Sequence, residues 1–239
     1  GGAYDLIFPH HEAEIAQQEA ASGKKPFVKI WLHTGFLTIE GKKMSKSLKN
    51  FITIKDFLKN NPPEILRWLI FNFHYRSPIN YTPQLLQQTK NSFENILELI
   101  LKLNLIIKKS KNSFFKFDEN YLQKIKKEID KNLQDDFNTP KSLAIIFDFI
   151  KEINLNLFKL SKTEAKLIKK FIIQFFEIFD INLKIEKIPK KILILNEKRE
   201  QLRNNKQFIQ ADDLRNKINK LGYKIEDTPF GSIIIKKYD

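Results

Sequence analysis

The chain of 239 residues contains no cysteine, a single methionine (Met44), seven glycines and two tryptophans. Without cysteine there is no disulfide, a composition that fits a reducing compartment. Its apolar runs, such as residues 171–176 and 233–235, fall far short of the roughly 20 residues that cross a membrane, and no leader pattern precedes them. A cytoplasmic protein with no membrane partner is the expectation. Arginine is scarce too, five of the 42 basic residues (Arg67, Arg76, Arg199, Arg203 and Arg215). What the chain does have is lysine: 42 Lys and Arg against 28 Asp and Glu, a formal charge of +14. Such a surplus points to a polyanionic partner such as nucleic acid. AT-rich coding would raise Lys, Ile, Asn and Phe together, so charge alone speaks equally for both readings.

The pattern changes near residue 82. Before it lie glycines, histidines, prolines and short mixed apolar stretches, in the manner of an α/β unit. After it, apolar residues recur at helical spacing in four stripes. These are Leu86–Phe93–Ile96–Ile100–Leu103–Ile107, Leu122–Ile125–Ile129–Leu133, Leu143–Ile146–Ile150–Ile153–Leu157, and Ile168–Phe171–Ile172–Phe175–Phe179. Four amphipathic helices with short polar joints predict an antiparallel bundle. Thr139 and Pro140 supply a helix start. Residues 184–191 read as a linker to a last unit, where Ala211, Leu214, Ile218 and Leu221 line a helix that Gly222 stops. The stretch YKIEDTPFGSIIIKK then predicts a hairpin. Residues 186–239 hold 13 basic and 8 acidic side chains, a surplus of five.

Two short stretches carry chemistry. In GKKMSKSLKN, Lys43, Ser45, Lys46 and Ser47 place two ammonium groups and two hydroxyls on one segment. Flexible lysines closing over a leaving pyrophosphate stabilise its growing charge more in the transition state than in the ground state. In FPHHEAE, His10 and Glu14 are four apart, so a helix beginning near Pro9 brings both to one face. Imidazole and carboxylate are ordinary zinc ligands, although a capping or core histidine is the commoner role of a lone pair. His11 and Glu12 point to other faces and fit a supporting, capping or surface role. Asp5 could receive a substrate amine or hydroxyl, or stabilise a turn. Trp31 and His33 could flank an adenosine, with buried packing the plainer role for Trp31.

The string KMSKS, built around the only methionine, resembles the signature of class I aminoacyl-tRNA synthetases. Around it the chain resembles the cysteinyl-tRNA synthetases in particular, from end to end and in order. Residues 1–17 match the family's stretch from its glycines through FPHHENEIAQ, with Ala13 in place of asparagine. Trp31, His33 and Gly35 match the positions ahead of the loop, residues 74–79 resemble HYRSPL, residues 135–140 are DDFNTP, and GYKIEDTPFGS resembles the family's ending without its usual tryptophan. Lys49 stands where the family usually has glycine, so loop geometry is expected to differ.

The resemblance implies a mainly α fold with an α/β remnant. Residues 1–55 are expected to be the C-terminal part of a class I Rossmann-type catalytic domain with the zinc-site helix and KMSKS loop, and residues 56–82 a stem-contact connecting segment. Residues 83–185 are expected to be the tRNA-binding bundle, and residues 186–239 a small α+β anticodon-binding domain. It further implies ATP-dependent activation of L-cysteine to cysteinyl-adenylate and transfer to cysteine tRNA. ATP, with Mg2+, would be held by Lys43, Met44, Ser45, Lys46 and Ser47. Zn2+ would be held by His10 and Glu14 with two cysteines upstream of this chain, and the zinc would take the substrate thiolate. A monomer inactive on its own is expected; a non-catalytic tRNA-binding module or a cysteine:small-amine ligase are the alternatives.

Overall fold

The computed structural model describes residues 1–44, 50–109 and 118–238. Strand β1 (Gly2–Ala3) leads through a 3-10 turn, Tyr4–Leu6, and a π-type turn, Ile7–His11, into helix α1 (Glu12–Ser22). Phe8 is extended within that turn (φ −132°, ψ 133°), so the chain bends just before Pro9. Strand β2 (His33–Thr34) runs parallel to β1, with Gly2 opposite His33. Strand β3 (Leu37–Ile39) pairs antiparallel with β4 (Lys42–Lys43) and parallel with β5 (Ile79–Tyr81).

Between β4 and β5 lie helices α2 (Ile54–Asn60) and α3 (Pro63–Phe71). Thr53 caps α2, its hydroxyl accepting from the Asp56 amide at 2.9 Å, and Pro63 opens α3 where no intrahelical donor is needed. The buried face of α3 presents Ile65, Trp68 and Leu69, and the Trp68 indole donates to Ser92 Oγ at 2.7 Å.

Helices α4 (Pro83–Lys109), α5 (Glu119–Gln134), α6 (Thr139–Leu155) and α7 (Lys162–Glu177) form the bundle, α4 against α7 and α5 against α6. The apolar stripes read from the sequence are its core: Ile100, Leu103, Ile146, Ile168 and Ile172 are at most 1% exposed. Each such side chain contributes roughly 1.5–3 kcal/mol over an exposed one. Two details differ from the sequence reading. Asn138 caps α6, accepting from the Lys141 amide at 3.3 Å, because its amide oxygen reaches where the shorter Thr139 already lies inside the helix. And α6 ends at Leu155, so Leu157 is buried from a following 3-10 turn.

Helices α8 (Lys190–Asn204) and α9 (Phe208–Lys220) pack with strands β6 (Tyr223–Thr228) and β7 (Gly231–Lys236), an antiparallel hairpin with Thr228 opposite Gly231. Ile192, Ile218, Ile225 and Ile234 make its small core. Arg199, fully buried, holds Asp227 through Nη1 and Nη2 at 2.9 and 2.5 Å. The hairpin docks on α4. Lys109 Nζ donates to the Phe230 carbonyl at 2.7 Å, Lys224 Nζ to Glu98 at 2.9 Å, and the Tyr238 amide to Glu94 at 2.6 Å. Among the described residues no helix is long and apolar enough to cross a membrane.

Candidate active site

The turn into α1 separates the two histidines. His10 and Glu14 are both exposed, at the end of the π-type turn and in the first turn of α1. His11 turns inward and is 8% exposed. Its Nδ1 lies 2.9 Å from His33 Nε2, and Trp31 covers both rings, with centroids 4.6 Å from His11 and 5.7 Å from His33. So His11 stands at the N-cap position of α1 without a capping hydrogen bond from its side chain, which is turned to the interior. Burial, followed by the neighbouring His11, lowers the pKa of His33 and favours its neutral ring. Gly2 makes room for this cluster, since a Cβ there would lie 2.7 Å from Leu6 Cδ1 and 3.1 Å from His11 Cε1. Trp31 and His33 are half-buried, and Asp5 is exposed in its 3-10 turn.

As a metal site the pair is half of a set. Among the described residues no three His, Cys, Asp or Glu side chains are grouped to hold an ion. Tetrahedral zinc takes four ligands, so the chemistry of His10 and Glu14 fits two of them.

Lys43 is exposed on β4, opposite Thr38, and Met44 is half-buried. Asn50 Nδ2 donates to the Lys43 carbonyl at 3.2 Å. Ser45, Lys46 and Ser47, with Lys49, lie outside the described residues. Met44 borders a cavity of about 960 Å³ whose wall includes Phe36, Phe57, Leu69 and Phe71. Its largely apolar wall suits packing, and Lys43 stands on an exposed strand beside it.

The segments HYRSPI and DDFNTP, separate matches in the sequence, meet in space. Gly35 sits at the junction: a Cβ would lie 2.3 Å from the Ser77 carbonyl oxygen, and its amide donates to the Tyr75 carbonyl at 2.8 Å. Tyr75 and Arg76 both reach Asp136, the Tyr75 hydroxyl donating at 2.5 Å and Arg76 Nε at 2.5 Å. The Arg76 hydrogen bonds, then that of Tyr75, hold the Asp136 carboxyl down at about 2. Asp136 and Phe137 both have φ 53°, a left-handed turn between α5 and α6 that aims the carboxylate at the 74–79 segment. Sequence reading did not single out Arg76 or Asp136 as a pair, and their φ and contact leave no local pattern beyond the two motifs.

A family model described as the tRNA synthetases class I (C) catalytic domain matches residues 1–91, and one described as the DALR domain matches residues 128–184. The cysteine–tRNA ligase of Bacillus licheniformis is 40% identical over 238 residues, 97% of this chain and 50% of the relative. That of Thermococcus gammatolerans is 36% identical over 98% of this chain and 52% of the relative. That of Caldicellulosiruptor saccharolyticus is 37% identical over 97% and 51%. The chain therefore spans about half the length of the curated relatives it matches. Among solved structures, the LeuRS of Agrobacterium radiobacter K84, in a ternary complex with tRNA and LeuAMS, is similar in fold, with a TM-score of 0.60. It is 16% identical, over 74% of this chain and 25% of that one. The chain thus carries a class I (C) tRNA synthetase catalytic segment followed by a DALR segment, and cysteine–tRNA ligases align with 97–98% of its length at 36–40% identity.

Proposed function

We propose that the chain supplies the C-terminal half of a cytoplasmic cysteine–tRNA ligase. The observation that carries this is the identity of 35–40% with cysteine–tRNA ligases along 97–98% of its length. In the reaction the carboxylate of cysteine attacks the α-phosphorus of ATP in line and pyrophosphate leaves. The acyl group then passes from the adenylate to a terminal ribose hydroxyl of the tRNA. Lys43 and Lys46 would meet the polyphosphate, where cations stabilise the charge that accumulates on the leaving group. Met44, Ser45 and Ser47 would complete that loop, and Asp5, Trp31 and His33 would border the substrate pocket.

His10 and Glu14 would be two of four zinc ligands, the others coming from the part of the relatives this chain does not span. Bound there, zinc supplies a soft Lewis acid that prefers a thiolate to a neutral hydroxyl, which separates cysteine from serine where shape cannot.

Residues 56–82 would connect the catalytic unit to the bundle, residues 83–185 would bind tRNA, and residues 186–239 would read the anticodon. The chain would act within a monomeric enzyme. Binding to cysteine tRNA and to a non-cognate tRNA, measured at two salt concentrations, tests the reading. Preference for the cognate at both is expected; equal binding that vanishes with salt would reduce the attraction to lysine charge.

A further inference from the structure

One carboxylate of the bundle reaches toward the substrate pocket by two routes. Asp136, in the turn between α5 and α6, accepts from the Tyr75 hydroxyl at 2.5 Å and from Arg76 Nε and Nη2 at 2.5 and 3.0 Å. The first route runs through Tyr75. Its carbonyl accepts the Gly35 amide at 2.8 Å and the Phe36 carbonyl accepts the Ile79 amide at 2.8 Å, which clamps residues 35–36 along the 75–79 segment at a closeness only glycine allows. Two residues before Gly35, the His33 ring lies along Trp31, with centroids 5.7 Å apart and planes 10° apart, and 2.9 Å from His11 Nδ1. The second route runs through Arg76, which also interacts with Tyr4, the neighbour of Asp5. Asp136 and Phe137 hold φ of 53° to present the carboxylate. Neither is glycine, so the turn is strained, and such strain persists where surrounding contacts over-determine it and gathers at functional positions.

We propose that Asp136 is a positioning residue for the substrate pocket: from the bundle it fixes β2, which carries His33, and with it the ring that Trp31 presents. The role rests on the reading of Asp5, Trp31 and His33 as the pocket's border, and goes beyond it by naming what holds that border in place. Reacting groups tolerate little misplacement, about 1 Å costing on the order of a hundredfold in rate, so a bordering ring needs firm support. The catalytic segment supplies little of its own. Strands β1 and β2 are two residues each and pair only with one another, and among the described residues before Phe57 no apolar side chain is buried. Without a local core, the segment takes its rigidity from hydrogen bonds to the 74–79 segment, and Asp136 is the group that ties that segment to the well-packed bundle.

The test places 5-fluorotryptophan at the chain's two tryptophans and reads their fluorine resonances, Trp31 for the pocket and Trp68, enclosed in the bundle, as the internal reference. Trp31→Phe assigns the two signals, and a pH of about 8 keeps the histidine rings neutral. Asp136→Asn keeps the size and tolerates the φ but ends the ionic grip, and Tyr75→Phe removes one hydroxyl. As a control, Ser161→Ala strips the cap of α7 and loosens the bundle away from the junction. The Trp31 resonance is expected to shift or broaden in Asp136→Asn and less in Tyr75→Phe, with Trp68 in place, while Ser161→Ala leaves Trp31 where it was. A shift in Asp136→Asn without one in Tyr75→Phe would keep the role and assign it to the Arg76 route. An unmoved Trp31 in a folded Asp136→Asn, whatever its loss in melting temperature, would make the carboxylate merely structural and overturn the proposal. An equal shift in Ser161→Ala would overturn it too. Should circular dichroism show that Asp136→Asn does not fold, Tyr75→Phe decides in its place. Neither nucleotide nor tRNA enters the measurement, so its failure leaves the tRNA-ligase reading to stand or fall by its own binding test.

Discussion

Arg76 grips Asp136 across 60 residues of sequence, Nε to Oδ2 at 2.5 Å and Nη2 to Oδ1 at 3.0 Å. The bidentate pair ties the segment beside Gly35 to the left-handed turn between α5 and α6, so it joins the catalytic part to the bundle. Asp136→Asn, which tolerates the same φ, is expected to lower the melting temperature, as is Arg76→Gln. The double variant should lose less than the sum of the two. Additive losses would mean that the two groups do not act on each other.

The same pair sets a pH dependence. The Asp136 carboxyl falls from its ordinary 3.8 to about 2 in the folded chain, chiefly through Arg76. A depressed carboxylate stabilises the fold above its unfolded pKa and loses that contribution as pH falls toward the folded one. Stability of the unaltered chain is therefore expected to drop between pH 4 and about 2 more steeply than that of Asp136→Asn. Parallel acid limbs in urea unfolding would count against the carboxylate.

Gly35 is argued from space rather than from φ. A Cβ would lie 2.4 Å from the Ser77 carbonyl carbon and 2.7 Å from Pro78 N, all backbone that cannot rotate away. Gly35→Ala is expected to cost about 1–3 kcal/mol or more, as overpacking does, and to loosen the β3–β5 pairing. Denaturant unfolding reads the loss; a change below a few tenths would show that the two segments are free to separate.

How far the sequence reaches is visible from these residues. Period-3.6 stripes made the four bundle helices legible because each stripe is buried where it was drawn, Ile100, Ile125, Ile146 and Ile172 among them. The terminal hairpin was legible from its Thr-Pro-Phe-Gly turn. Contacts between distant segments were not. Nothing local says that Arg76 meets Asp136, that Glu98 of α4 receives Lys224 of the hairpin, or that His11 rather than its neighbour turns inward. The bend at Phe8 decides the last, and a heptapeptide of sequence holds no count of such bends.

The docked hairpin carries a second titration. Burial, then a hydrogen bond to Glu98, pushes Glu226 above its ordinary 4.5. Burial would also raise Glu98, but its hydrogen bonds to Glu226, Lys102 and Lys224 outweigh that and hold it at about 2. A raised carboxyl adds stability that is complete below its unfolded pKa and is lost as pH rises through the folded one. Relative to Glu226→Gln, the unaltered chain is expected to lose stability as pH climbs from 4.5. Hydrogen exchange of the β6–β7 amides follows this directly, and a gap that widens in favour of the unaltered chain would reverse the assignment.

The two adjacent histidines give opposite expectations for metal and for stability. His10 and Glu14 are both exposed, whereas His11 is enclosed by Trp31 and His33. If His10 and Glu14 are ligands, Zn2+ titrated into this chain by calorimetry binds weakly, since two donors leave half the tetrahedron to water. His10→Ala is expected to abolish that heat and leave stability near unchanged. His11→Ala is expected to do the reverse, costing about 1–3 kcal/mol because it empties a buried, hydrogen-bonded place, while zinc affinity persists. The split works because the two readouts are independent: a ligand role moves the metal isotherm alone, and a packing role moves the unfolding curve alone. Loss of zinc binding on His11→Ala, with none on His10→Ala, would transfer the ligand role to the inner histidine and contradict the assignment of His10.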